Sequence, residues 1–259
     1  MRNNIAIIFA GGQGKRMGLE IPKQFLKVNG KPILAYTLEI FENSDDIDKI
    51  YISTLEDYIP YVHRIVCEYG FDKVRGVVRG GQTAQDSIYN ALLGARNDGN
   101  ADDSIVLLHD GVRPVINQKV IEENINTTIT CGNAITCTEA YETLIISDDG
   151  KTVSEVPLRK NSYTAQAPQT FFLGDIISAH DIIRKKPNGY ENMVDACTIY
   201  KAIGRPVYLV KGNRGNIKIT TPEDVYAFRA YLEYKENEQT FGLGLTEDED
   251  IKNISRKRL

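Results

Sequence analysis

Three glycines, Gly11, Gly12 and Gly14, stand among three cations, Lys15, Arg16 and Lys23, in the stretch Ala10 to Gln24, AGGQGKRMGLEIPKQ. Glycine lets backbone N–H groups approach an anion without a Cβ in the way, and the cations supply charge, so this spacing suits a bound triphosphate. Two common phosphate loops do not fit. A GxxxxGK[ST] loop would need glycine at Phe9 and a hydroxyl residue at Arg16, and a GxGxxG loop would need its third glycine at Met17. An ordinary glycine-rich turn explains the glycines but not the cations beside them.

Three more places carry groups that could act on such an anion: Arg79-Gly80-Gly81-Gln82 with Asp86 and Ser87 following, His109-Asp110-Gly111-Val112-Arg113-Pro114, and Gly215-Asn216-Ile217-Lys218-Ile219-Thr220. Asp86 and Ser87 have the groups to read a nucleobase edge, Asp110 and Arg113 offer a carboxylate and a guanidinium, and Lys218 offers another cation. Each also has a plain structural reading. Asp110 fits an Asp-Gly turn, Arg113 and Lys218 fit a solvated surface, and Gly80-Gly81 fits a bend. Their significance depends on whether the fold brings them to one edge.

Short β-rich runs alternate with amphipathic stretches, the pattern of parallel βαβ units with right-handed crossovers. Strands are expected at Ile5–Phe9, Lys49–Ser53, Val74–Val78, Ile105–His109 and Ala134–Thr138, with helices at Ile33–Glu42, Asp57–Tyr69, Gln85–Arg96 and Gln118–Thr130. In such sheets ligands sit beyond the carboxyl ends of the strands, which is where the glycine loop, Gly81 and Asp110 fall. From Tyr141 to Phe172 the turn signal Asp148-Asp149-Gly150 separates two alternating segments, read as a β-hairpin arm. Helices near Gly174–Arg184 and Asp195–Ile203 and a strand at Pro206–Val210 follow. Thr221-Pro222-Glu223-Asp224 then opens a last helix that runs to about Lys235. The expected organisation is one domain over 1–235, with the arm at about 141–172, and a charged tail over 236–259.

The 259 residues are 42% hydrophobic and 25% charged, with net charge −4 and a pI near 5.5, values that suit a globular protein and argue against a general nucleic-acid binder. Cys67, Cys131, Cys137 and Cys197 have no CxxC spacing and are read as buried reduced thiols. A short apolar N-terminal run without a cleavage-site pattern, and no run long enough to span a bilayer, lead to the expectation of a cytoplasmic protein without membrane insertion.

The pieces AGGQGKRMG with PKQF, Gly80 to Ser87, LHDGVRP, PLRKNSYTAQAPQTF, VDAC and NIKITTPED resemble, in that order, the family of methylerythritol-phosphate and ribitol-phosphate cytidylyltransferases over roughly residues 4–235, with wording closer to the ribitol-phosphate branch. The resemblance implies a Rossmann-like α/β fold, a mostly parallel twisted sheet flanked by helices, with the arm serving dimerisation. It implies transfer of CMP from CTP to a polyol phosphate, giving a CDP-polyol and pyrophosphate, with Mg2+ bridging phosphate oxygens. Ala10, Gly11, Gly12, Gly14, Lys15, Arg16 and Lys23 would hold the triphosphate, and Gly81, Gln82 and Ser87 the nucleoside. Arg16, Lys23 and Lys218 would be the catalytic cations. Asp110, Arg113, Arg159, Ala167 and Val194 would line the acceptor side, with Asp110 also the metal candidate and Arg159 reaching the neighbouring subunit's site in a homodimer.

Ala84 stands where the family carries arginine, Gln82 where an acid is usual, and Ala167 and Val194 where the family has threonine. The two missing hydroxyls lead to the expectation of an acceptor other than methylerythritol phosphate: ribitol 5-phosphate, a glycerol phosphate or another short polyol phosphate of envelope, teichoic-acid or capsule assembly. The alternatives are the methylerythritol 4-phosphate enzyme itself, a hexose-phosphate nucleotidylyltransferase using UTP or dTTP, and a non-catalytic nucleotide-binding homologue.

Overall fold

A computed structural model describes residues 2–12 and 21–241, the last three as backbone only. Its centre is a seven-stranded sheet formed by β1 (Asn4–Ala10), β4 (Lys49–Thr54), β5 (Val74–Arg79), β6 (Ile105–Asp110), β7 (Asn133–Glu139), β8 (Tyr163–Phe172) and β9 (Leu209–Lys211), in the order β5-β4-β1-β6-β8-β7-β9. β8 is antiparallel to both neighbours, and every other pairing in the sheet is parallel. β2 (Lys27–Val28) and β3 (Lys31–Pro32) form a separate small hairpin.

The central strands are apolar on both faces because helices cover both. Ala6, Ile8, Ile105 and Leu107 face α1 (Ile33–Glu42), α2 (Ile59–Tyr69) and α4 (Gln118–Cys131). Ile5, Ile7, Val106 and Leu108 face α3 (Ala84–Asn97), α5 (Leu173–Arg184) and α6 (Ala196–Ala202). A third cluster, Val28, Ile33, Val112, Val115, Ile219 and Phe228, packs α7 (Pro222–Phe241) against the loops after β6 and β9. The sheet runs outward from β1 in opposite senses through β4 and β6, so the switch point of a doubly wound fold lies between β1 and β6.

Three expectations change. The stretch read as the second half of the arm is β8, inserted between β6 and β7, and what leaves the sheet is 140–162, with one antiparallel bridge between Ile146 and Glu155. A proline argues against a central strand. Here Pro168 falls where the β7–β8 register shifts, and its carbonyl takes a hydrogen bond from the Thr136 hydroxyl (2.7 Å) instead of a ladder partner. α7 continues six residues past Lys235 into the segment read as tail, helped by the Lys235–Glu238 pair at 2.7 Å; residues 242–259 lie outside the described residues. The four cysteines are free as expected, but only Cys137 is buried, whereas Cys67 and Cys131 are exposed.

Candidate active site

β1 and β6 end side by side, with Phe9 opposite Asp110. Two cavities open there and share Phe9, Ala84, Asp110 and Lys218. The larger, about 450 Å³, is lined by Ala10, Gly11, Gly12 and Lys23 on one side and by Gly81, Gln82 and Ser87 on the other. The smaller, about 220 Å³, carries Arg113, Ala167, Val194 and Asp195. Every described residue expected at the site lines one of the two except Arg159 and Asp86, whose carboxylate is taken by Thr83 and by Arg184 at 2.7 Å. The Arg159 side chain lies on the exposed part of the arm, Nη1 3.5 Å from the Tyr141 carbonyl. Gly14, Lys15 and Arg16 lie outside the described residues.

Asp110 is the hinge of the arrangement. Its Oδ1 meets Lys218 Nζ at 2.6 Å and its Oδ2 meets Arg113 Nε at 2.8 Å. Burial alone would raise its pKa, but the two cations outweigh that and hold the carboxyl below its ordinary value, so it is ionised at neutral pH. Arg113 also donates through Nη1 to the Asn216 carbonyl (2.8 Å), and the Asn216 side chain donates to the Ala167 carbonyl (2.7 Å). One chain of contacts thus joins the loop after β6, the loop after β9 and the acceptor-side wall.

Local sequence explains why Lys218 stays at this edge. Its neighbour Ile219 is fully buried in the third cluster and donates its N–H to the Val112 carbonyl (2.9 Å). Two residues past Lys218, the N–H of Thr220 (2.7 Å) and that of Thr221 (2.8 Å) both bond to Asp224 in the first turn of α7. A helix start therefore anchors the loop. Upstream, Gly212 is required: a Cβ there would lie 2.6 Å from the Gln166 Oε1 and 2.7 Å from the Thr136 Cγ2.

The nucleoside side is built around α3. Thr83 and Asp86 form a capping box, with Asp86 N–H to Thr83 Oγ1 at 3.0 Å and Thr83 N–H to Asp86 Oδ2 at 3.2 Å. A Cβ on Gly81 would come within 2.2 Å of the Asp86 Cβ, so only glycine fits against the helix start. The Ser87 hydroxyl accepts from the Gly81 N–H (3.0 Å) and donates to the Thr83 carbonyl (2.9 Å), which makes it a brace of this turn. Across the cavity Lys23 is nine-tenths buried, and Gln24 donates from Nε2 to the Ala10 carbonyl, closing the end of the glycine loop onto β1.

Several site residues escaped the sequence reading. Asn216 and Asp195 sit inside quoted motifs, but their roles are tertiary: Asp195 caps α6 through Thr198 N–H (2.8 Å) and accepts from Gln169 Nε2 (2.9 Å). Gln85, beside Ala84 at the start of α3, is a lining residue inside the piece Gly80 to Ser87, where its residue type marked no role.

Among the described residues no group of three or more His, Cys, Asp or Glu side chains could hold a metal ion, and no helix is long and apolar enough to cross a membrane. Adjoining cavities, one strapped by glycines and cations and one carrying an acid between two cations, can hold a polyanion and bring a second substrate to it.

Comparison with known proteins agrees with this geometry. The sequence profile of the family described as IspD, 2-C-methyl-D-erythritol 4-phosphate cytidylyltransferase, matches residues 4–234. The chain is 43% identical over 242 residues to the ribitol-5-phosphate cytidylyltransferase of Streptococcus agalactiae serotype III (strain NEM316), covering 93% of this chain and all of that one. It is 41% identical over 235 residues to the 2-C-methyl-D-erythritol 4-phosphate cytidylyltransferase of Geotalea uraniireducens, covering 90% of this chain and 98% of that one. The crystal structure of 4-diphosphocytidyl-2C-methyl-D-erythritol synthase from Anaerococcus prevotii superposes with a TM-score of 0.76 at 29% identity, over 90% of this chain and 96% of that one.

Proposed function

The chain belongs to the IspD family of cytidylyltransferases, and on that footing we propose that it moves CMP from CTP to a polyol phosphate other than methylerythritol phosphate, ribitol 5-phosphate being the first candidate. The observation that carries the reading is Asp110, held between Lys218 and Arg113 at the seam of the two cavities. A seam is where an attacking oxygen and an α-phosphate must meet.

CTP occupies the larger cavity, its triphosphate against the backbone of Gly11 and Gly12 and the Lys23 ammonium; Gly14, Lys15 and Arg16 are phosphate ligands on the strength of the sequence alone. The cytosine lies toward Gly81, Gln82 and Ser87. An oxygen of the acceptor phosphate attacks the α-phosphorus, the bond to the β-phosphate oxygen breaks, and pyrophosphate leaves with the electron pair. The protein's part is positioning and charge neutralisation, with no covalent nucleophile. Lys218 faces the charge that builds on the α-phosphate, and Asp110 and the Ile219–Asp224 anchor fix where its ammonium sits. Arg113 offsets charge on the acceptor side.

The donor set suits a cation carried in by the triphosphate rather than a protein cage: among the described residues Asp110 is the one carboxylate common to both cavities, and it has both oxygens engaged. Mg2+ held mainly by phosphate oxygens, with Asp110 nearby, would supply further neutralisation of the triphosphate. A homodimer, in which Arg159 of one arm reaches the acceptor phosphate in the other subunit's site, accounts for an exposed arm whose arginine lines neither cavity of its own chain.

The acceptor choice is supported by the similarity to a ribitol-5-phosphate enzyme and by Ala167 and Val194, which bring no hydroxyl to the acceptor wall. A pyrophosphate-release screen crossing CTP, UTP, ATP and GTP with several polyol phosphates and a hexose 1-phosphate tests the assignment. Turnover confined to CTP with a polyol phosphate is the expected result, and release with a hexose phosphate and UTP would refute it.

A further inference from the structure

Among the described residues three glutamines line the acceptor-side cavity, and their carboxamides are committed to different degrees. Gln169 donates through Nε2 to Asp195 (2.9 Å) and accepts through Oε1 from the Cys197 N–H (3.0 Å). Gln166 accepts from Asn216 through Oε1 (3.4 Å). Gln85 is 2% exposed, yet neither its Nε2 nor its Oε1 has a hydrogen-bond partner. The cavity that it lines also carries the apolar side chains of Phe9, Ile88 and Leu108.

A buried carboxamide with both ends unpaired is costly, and in a folded protein it calls for a reason. The cavity it lines supplies one. A carboxamide presents a donor and an acceptor together, whereas a hydroxyl can act as either. Turned from its buried position toward the cavity, the carboxamide can therefore be satisfied at both ends by adjacent hydroxyls of a polyol, one accepting from Nε2 and the next donating to Oε1. A phosphate would serve Nε2 alone and set its charge against Oε1. For the acceptor's phosphate the cavity has Arg113 and Lys218 instead.

We propose that Gln85 is a specificity-determining residue that reads adjacent hydroxyls of the polyol acceptor, taking over a hydrogen-bonding task that Ala167 and Val194 cannot perform. Gln85 follows Ala84, whose small side chain lines both cavities and leaves room before it. This inference rests on the cytidylyl-transfer reading, and turnover of wild-type protein with CTP and ribitol 5-phosphate checks that reading separately.

Gln85→Leu keeps the bulk and removes both polar atoms. The expected result is a KM for ribitol 5-phosphate raised about tenfold or more, with the KM for CTP unchanged. Because the amide is unpaired in the free chain, the same variant should be more stable, with Tm higher by about 2–4 °C. Monodeoxy ribitol 5-phosphates close the cycle: one or two of them should lose against wild type about what Gln85→Leu loses, and lose nothing further against the variant. A lower Tm with both KM values unchanged would make Gln85 a packing residue and overturn the proposal, as would a rise in the KM for CTP alone. Wild-type turnover with a full deoxy penalty retained in Gln85→Leu would overturn it as well.

Discussion

Lys218→Met keeps most of the aliphatic stem and removes the ammonium that meets Asp110 at 2.6 Å. Two quantities then separate. The Lys218 side chain is 41% exposed, so solvent screens the pair, and Arg113 still holds the other carboxylate oxygen at 2.8 Å. The stability lost is about 1 kcal/mol, a fall in Tm of about 2–4 °C in a chain of this size. Removing one preorganised group aimed at charge developing in the transition state costs about 2.7–4 kcal/mol, a fall in kcat of about 10²–10³. Steady-state pyrophosphate release at saturating CTP and acceptor, with Tm measured on the same preparation, reads both. The variant should stay folded at the assay temperature and lose turnover. A kcat close to wild type would remove Lys218 from the chemistry, and a collapse of Tm would mean that the Lys218–Asp110 pair holds the fold rather than the transition state.

Other consequences follow from single contacts. Gly81→Ala places a methyl 2.2 Å from the Asp86 Cβ; it should raise the KM for CTP more than that for the acceptor and lower Tm, and unchanged kinetics would show that the turn is not part of the nucleoside site. His109 and His180 are both held near pKa 4 by burial, so the unfolded chain takes up protons below about 6.5 that the folded chain refuses. Stability should be full above that pH and decline as pH falls toward 4, by up to about 1.4 kcal/mol per unit for each histidine, whereas a flat Tm across that window would contradict their neutral burial. If sites are shared across a dimer, mixing unfolded Arg159→Ala and Lys218→Met chains and refolding them together should restore about a quarter of wild-type activity, because half of the randomly paired dimers hold one intact site in two. No recovery on mixing would place Arg159 outside the neighbouring site.

The site's edge was legible because its logic is local. An apolar run followed at once by glycines and cations announces a strand end, and Asp110 follows another such run, so the strand-end rule was enough to group them. The helix start at Thr221 was written in its capping residues, whereas the capping box of Thr83 and Asp86 emerged only with the fold. What else escaped depends on contacts distant in sequence. β8 was hidden by Pro168, whose acceptance in a central position rests on a register shift and a hydroxyl supplied by Thr136 on the neighbouring strand. Asn216 matters through the Arg113 guanidinium and the Ala167 carbonyl, 103 and 49 residues away. Ser87 read as a base contact, and the fold gives its hydroxyl two partners within its own turn. Gln85 looks in sequence like a surface residue of a helix's first turn, and only burial shows an amide without partners.

Acceptor choice is the claim most directly open to measurement. With CTP and Mg2+ held saturating, kcat/KM for ribitol 5-phosphate should exceed that for methylerythritol 4-phosphate at least about tenfold, the worth of one hydrogen bond gained or left unmade in a buried pocket. Equal values, or a preference for methylerythritol 4-phosphate, would contradict the assignment of the wall formed by Gln85, Ala167 and Val194 to a different polyol.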